Sequence, residues 1–430
     1  MSPKHPLAKD SAQSPWHIGG VIVLILVLGF SIRLSRAPTQ VVTPPGVPPA
    51  LPLTQGQTYP TPYNPVPSAV PTPVVNTPTP VPSVAAPVIP AVQPTVPGQQ
   101  VAAPTTQGSS NVPVPAVSNS LWKAIFPLNA VNAILALPDG TTWVAHEQGL
   151  ARIIQNGMVN FTFQNRTFPS VNATSLAYDG RNVWVGTFDG LVQVSDGNTF
   201  RRFTTRDGLI HDMVWSLDWD GHILWIGTQA GVSFMTADGR FERIDKRISN
   251  GGLADIWIGA VRKIDRWVLC GNDDGLSIWD TAGFAANPGS WVTLDQFETN
   301  LVHNWVLGMT RYQDKLWIGT PQGLARLETS FDQLFQPGSS DKTSGPRSLF
   351  STFNRSTGLP SDRVNALQPW KDALWLGTQA GLSRWQNGAI RTWTEADGLL
   401  ANDVRAVADG GEGLWVGTSR GLQLLSATAL

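Results

Sequence analysis

The chain has 430 residues with 30 Lys+Arg against 31 Asp+Glu, a formal net charge of −1, and so lacks the basic surplus of a nucleic-acid binder. Only 14% of residues are charged, whereas Gly (41), Pro (34) and Trp (18) are abundant, a turn-rich and aromatic-rich composition rather than a helical one. The single cysteine, Cys270, excludes an intramolecular disulfide framework and any multi-thiolate metal centre.

In chain order, residues 1–15 form a polar tail and residues 16–34 an apolar run. No charged side chain falls between Trp16 and Ile32, about 17 residues and the short end of a membrane-spanning helix. We take it as an uncleaved signal-anchor with Trp16 at one interface. A cleaved signal peptide is the competing reading, but Arg33 and Arg36 precede the Ser35-Arg36-Ala37 site and Pro38 would follow the cut.

Residues 35–119 then form a Pro-rich linker. From Pro38 to Ser118 there is no Asp, Glu, Lys, Arg or His, and 22 of 81 residues are Pro. Proline fixes φ and removes donors, so an extended, disordered stalk is expected, with neither helix nor sheet. An uncharged stalk behind an apolar helix places the remainder outside the cytoplasm, at the cell surface or in the periplasm. Lys4 and Lys9 on one flank and Arg33 and Arg36 on the other do not set the orientation by themselves.

Residues 120–430 repeat one unit seven times. Five copies are clear: 'WVGTFDGL' (Trp184–Leu191), 'WIGTQAGV' (Trp225–Val232), 'WIGTPQGL' (Trp317–Leu324), 'WLGTQAGL' (Trp375–Leu382) and 'WVGTSRGL' (Trp415–Leu422). Two are degenerate: 'WVAHEQGL' (Trp143–Leu150) and 'LCGNDDGL' (Leu269–Leu276). Trp and Gly at i and i+2 share a strand face, and the second Gly suits a turn position with φ > 0. Asp139-Gly140, Asp179-Gly180 and Asp220-Gly221 mark the preceding hairpin turn. Four strands per repeat at this spacing predict an all-β, seven-bladed β-propeller. The last repeat lacks a fourth strand, and 'SLWKAIFPL' (Ser120–Leu128) reads as its orphan, with Trp122 and Phe126 at the apolar positions. Pairing the two closes the ring and removes both edges.

The run 'GLPSDRVNALQPWKDALWLGTQAGLSRWQNGAIRTW' (Gly358–Trp393), matched again by 'DGLLANDVRAVADGGEGLWVGTSRGL', resembles the two-component regulator propeller family. The resemblance covers about residues 121–430. It implies an extracytoplasmic sensor-type propeller, which in that family is joined to a kinase or cyclase output; no such output domain is recognisable here, so signalling requires a separate sensor kinase as partner.

Nothing in the chain reads as catalytic or cofactor-binding: there is no P-loop, no HExxH and no Gly-x-Ser-x-Gly elbow. One constellation stands out. The segments leading into the first strands align as 'LIHDMV' (Leu209–Val214), 'LVHNWV' (Leu301–Val306), 'LPSDRV' (Leu359–Val364) and 'LLANDV' (Leu399–Val404). A propeller gathers them at one channel mouth, so His211, Asp212, His303, Asn304, Asp362, Arg363, Asn402 and Asp403 share a rim, with Trp215, Trp257 and Trp305 just inside. Polar groups converging with aromatics is the form of a ligand site; turn capping is the competing role for the Asp and Asn. The sequence thus predicts a membrane-tethered binding module for an extracellular ligand or protein, with a propeller enzyme (lyase or glycan-active) and a structural surface protein as alternatives. Sequons at Asn160, Asn165, Asn172 and Asn354 add acceptors should the chain be glycosylated.

Overall fold

Each Trp-x-Gly-Thr copy forms a strand because its apolar residues alternate and its second Gly turns the chain back on itself. The computed structural model describes residues 121–154, 157–336 and 347–427, with two further short strands, Gln99–Val101 and Val112–Pro113. The expected membrane helix and most of the stalk lie outside the described residues, among which no helix is long and apolar enough to cross a membrane.

Seven antiparallel sheets follow one another as blades, each wound from the channel outward in chain order except where a strand from earlier in the chain is added at the outer edge of blades 1, 2 and 7. Their innermost strands are Val131–Ala136, Ala173–Tyr178, Val214–Trp219, Ala260–Ile264, Gly308–Tyr312, Val364–Trp370 and Val404–Asp409, in blades 1 to 7. Every innermost strand packs against the next, including that of blade 7 against that of blade 1, so the ring is closed. Near its start each carries a small residue (Ala133, Ser175, Ser216, Ala260, Gly308, Ala366, Ala406) where seven strands crowd one axis.

Closure follows the expected route. Trp122–Phe126 is the outermost strand of blade 7, antiparallel to Gly421–Ser426, with Trp122 opposite Leu425 and Phe126 opposite Leu422. Both aromatic side chains are buried, and the Trp122 indole Nε1 donates to the Asp397 carbonyl at 3.0 Å.

Two features of the repeat lock blade to blade. The Gly of each Gly-Thr pair faces the first apolar residue of the next blade: a Cβ on Gly227 would meet the Ile258 carbonyl at 2.8 Å, one on Gly271 the Val306 Cβ at 2.7 Å, and one on Gly417 the Val131 Cβ at 2.8 Å. Blade 1 breaks the motif with Ala145, and there the facing residue shrinks to Ala173, both fully buried. The second Gly of each turn holds φ between 124° and 149°, and an added Cβ would strike the carbonyl of the outermost strand, so this position is closed to other residues on two counts. The Thr side chain then ties the turn, as Thr228 Oγ1 does by donating to the Gly231 carbonyl at 2.8 Å. His146 and Asn272, which stand in its place, accept the equivalent N–H from Gln148 and Asp274.

The Asp of the preceding hairpin explains its coupling to Trp. Asp179 Oδ2 accepts the Trp184 indole N–H and Asp220 Oδ2 that of Trp225, each at 2.8 Å. Where the Trp is missing, at Leu269, Trp291 and Trp279 fill the blade instead, stacked with centroids 5.9 Å apart.

One expectation is corrected. The Pro-rich tract does form sheet at two places: Gln99–Val101 pairs with the outermost strand of blade 2 and Val112–Pro113 with that of blade 1. The Gln99–Val101 stretch carries no Pro, and an outer-edge strand tolerates Pro113, whose missing N–H need only face away from the ladder.

Candidate functional site

The lead-in segments do gather at one mouth of the channel, beside the Gly-Thr-x-x-Gly turns, because the innermost strands begin opposite those turns: Val214 pairs with Thr228, Val364 with Thr378 and Val404 with Thr418, while in blades 4 and 5 Ala260 pairs with Gly271 and Gly308 with Gly319. Their polar residues divide by role. Asp212, Asn304, Asp362 and Asn402 each accept, through Oδ1, a backbone N–H of the turn that closes the preceding blade: Thr205 at 2.6 Å, and Gln296, Arg355 and Glu395 at 2.8 Å. Those four side chains cap turns.

His211 and His303 sit one residue earlier. Their Nδ1 atoms accept the N–H of Met213 (3.0 Å) and Trp305 (2.9 Å), which places the proton of the neutral ring on Nε2. Asp255 and Ser361 perform the same turn closure with an oxygen, for Trp257 and Arg363. An acceptor thus closes this turn in blades 3 to 6, with imidazole one way to supply it, whereas Ala401 stands at the same place in blade 7. Burial lowers the His303 pKa, so its ring is neutral at pH 7.

The residues that follow form the rim proper. Phe188, Trp215, Trp257 and Trp305 make one half-buried arc, with successive ring centroids 5.1, 5.5 and 6.2 Å apart. Arg363 ends it, with its guanidinium 5.9 Å from the Trp305 ring. Beyond it the rim turns ionic. Arg363 Nε donates to Asn365 Oδ1 at 2.8 Å, Arg405 Nε to Asp403 Oδ2 at 2.9 Å, and Arg405 also pairs with Glu147 at 3.5 Å, joining blade 7 to blade 1. Blades 2 to 5 thus present aromatic rings and blades 6, 7 and 1 present charge.

Sequence reasoning missed Phe188, Glu147, Asp255, Asp273, Asn365 and Arg405. The signal was within reach, because in a repeat protein the unrepeated positions are those the fold does not dictate. Glu147, Phe188 and Asp273 occupy the first variable place of the Gly-Thr-x-x-Gly turn. Trp215, Asn365 and Arg405 are bulged residues just inside the first strand, where the ladder register shifts. Asn132, Thr174 and Asn365 use that bulge to hydrogen-bond the first carbonyl of the next blade. Trp215 makes no such bond; its indole N–H is buried without a partner.

Asp273 carries an electrostatic mismatch. Burial, then Asp255 and Asp274, push its carboxyl up to about 6. The folded state therefore holds the proton more tightly than the unfolded chain. Its ionised form destabilises the fold above about pH 6, and stability recovers as pH falls from there towards the ordinary carboxylate range. Asp273→Asn is expected to raise Tm at pH 8 and to change it much less at pH 4.5; equal gains at both pH values in thermal melts would contradict this assignment.

Two clefts of about 510 and 520 Å³ open at the opposite mouth. They share Arg262, Lys263 and Asp265, none of which the sequence singled out. Charge there is matched internally. Arg262 pairs with Asp218 at 3.2 Å, Asp218 also accepts the Lys263 N–H at 2.7 Å, and Arg311 pairs with Asp265 at 2.8 Å. These contacts staple blades 3, 4 and 5 at their lower ends. Cys270 is fully buried in blade 4 and burial pushes its thiol up to about 12, so it is unreactive. Among the described residues no group of three or more His, Cys, Asp or Glu is placed to hold a metal ion.

No family model matches the chain, and no curated protein matches it. Solved structures do. The extracellular domain of a hybrid two component system from B. thetaiotaomicron aligns with a TM-score of 0.56 at 18% identity, over 70% of this chain and 40% of that one. PorZ, a surface component of the type-IX secretion system of Porphyromonas gingivalis, aligns with a TM-score of 0.53 at 17% identity, over 69% and 46%. Virginiamycin B lyase from Staphylococcus aureus aligns with a TM-score of 0.52 at 13% identity, over 70% and 98%. The chain thus spans less than half of the two-component extracellular domain and of the secretion component, and almost all of the lyase. At these identities the likeness is one of fold, that of a seven-bladed propeller.

Proposed function

We propose that this chain is a membrane-tethered, extracytoplasmic sensory propeller that binds a ligand or protein partner at the Gly-Thr-x-x-Gly mouth and signals through a separate kinase-bearing partner. The carrying observation is the rim's asymmetry. Blades built from one repeated unit put unrepeated side chains at that mouth, as a continuous half-buried arc from Phe188 to Arg363. An aromatic surface flanked by ionic groups is the composition of a binding site rather than of a fold-maintaining one. The extracellular setting of the B. thetaiotaomicron domain and the resemblance of the repeats support the location and the sensory role.

The reading is tested by thermal-shift screening of the full chain in detergent against glycan, peptide and small-molecule panels. A stabilising compound is expected, and its shift should be lost in Trp257→Leu combined with Arg363→Gln, a pair that removes the arc without touching a turn cap. A shift kept intact in that variant, or consumption of the compound with release of a product, would displace this reading.

A further inference from the structure

The aromatic arc is bordered by acids that form no salt bridge among the described residues. Asp255 lies two residues before Trp257 and accepts its N–H at 2.8 Å. Asp273 takes the turn position that Phe188 takes in blade 2, where that ring meets the next blade's Trp215 at 5.1 Å. Trp305 in turn lies over Gly259, its Nε1 3.9 Å from where a Cβ on that glycine would stand. Among the described residues no salt bridge joins Asp255, Asp273 or Asp274 to a cation, whereas Asp218, Asp265 and Asp403 all have one. The mutual repulsion of this trio contributes to the high Asp273 carboxyl pKa described above.

The same arc already receives a cation at one end, where Arg363 lies over Trp305. An indole face attracts positive charge through its quadrupole, and a neighbouring carboxylate adds Coulomb attraction at short range. The two features together define a chemistry that neither defines alone. We propose that Trp215, Trp257 and Trp305, with Asp255 and Asp273, form a site for a small organic cation of the quaternary ammonium class. The proposal rests on the mouth being the binding surface and specifies what that surface takes. Unpaired carboxylates there are then a functional cost in stability, relieved when the ligand arrives.

The test is isothermal titration of the full chain with choline, with tetramethylammonium, and with 3,3-dimethylbutan-1-ol, the uncharged carbon analogue of choline. Both cations are expected to bind at least about tenfold more tightly than the neutral analogue. Trp257→Leu should weaken choline by about tenfold, Trp305→Tyr should weaken it less, and Asp273→Asn should weaken both cations without affecting the neutral analogue. Far-ultraviolet circular dichroism melts confirm that each variant is folded, and the conservative Tyr variant keeps the test decisive if the Leu variant is not. Equal affinity for the neutral analogue, or no heat from either cation, overturns the cation site. In that event a thermal shift from another compound that still depends on Trp257 and Arg363 leaves the mouth as the binding surface, so the two failures are distinguishable.

Discussion

Trp122→Ala is expected to lower the stability of the propeller by about 3–5 kcal/mol, a fall in Tm on the order of 10 °C, read by thermal or urea unfolding. The side chain is almost wholly buried, 1% exposed, in a cluster with Trp370, Trp375 and Trp393 from blade 6. Truncation leaves a cavity between blades 6 and 7 and frees the Asp397 carbonyl. Deleting Trp122–Phe126 outright goes further, because it exposes Gly421–Ser426 as an unpaired edge beside a hydrophobic face. The deletion variant is expected to lose cooperative unfolding and to aggregate. A deletion variant that melts like the intact chain would show that the ring does not depend on its latch.

Gly417→Ala is the second large effect. The new methyl meets the stiff, branched Val131 across the blade 7–blade 1 junction, and overpacking of this kind costs about 1–3 kcal/mol. Val131→Ala alone should cost about 2 kcal/mol through lost burial. The double variant reproduces the Ala145–Ala173 pair that the chain already uses between blades 1 and 2. It should therefore be at least about 1 kcal/mol more stable than the sum of the two single losses predicts. Strict additivity in a double-mutant cycle would mean that the glycine is required for some reason other than the facing valine.

The fold was legible because its rules are written seven times. The Trp, both Gly and the Thr of each hairpin act through local backbone geometry and through a neighbour at a fixed offset, and even the degenerate copies keep the strand pattern. Ser120–Leu128 could be recognised as a missing strand because Trp122 and Phe126 supply its two apolar residues; they stand four apart rather than the three of Phe200/Phe203 or Trp291/Leu294, and a bulge between Trp122 and Ala124 takes up the extra residue. The rim was only half legible. Trp305 emerges from aligning the lead-in segments, and Trp257 was placed beside it just inside the rim. The choice between cap and ligand for Asp212, Asn304, Asp362 and Asn402 needed the position of a backbone N–H seven or eight residues earlier in the chain. Phe188, Asp273 and Arg405 could be marked as unrepeated positions of the turn and bulge, but where their side chains aim depends on how the blades are inclined around the axis. The two stitches from the Pro-rich tract escaped for the opposite reason: average composition hid short stretches able to add to an open edge.

That the latch strand lies at the near end of the tract has a mechanical consequence. A pull on the chain ahead of residue 99 meets first the two stitches, Gln99–Val101 and Val112–Pro113 on blades 2 and 1, and then the latch itself on blade 7. Tension would peel the short stitches before it reaches Trp122, so they act as sacrificial slack that spares the ring. Stretching the chain from its N-terminal side and squeezing open the propeller are, in this molecule, successive stages of one event.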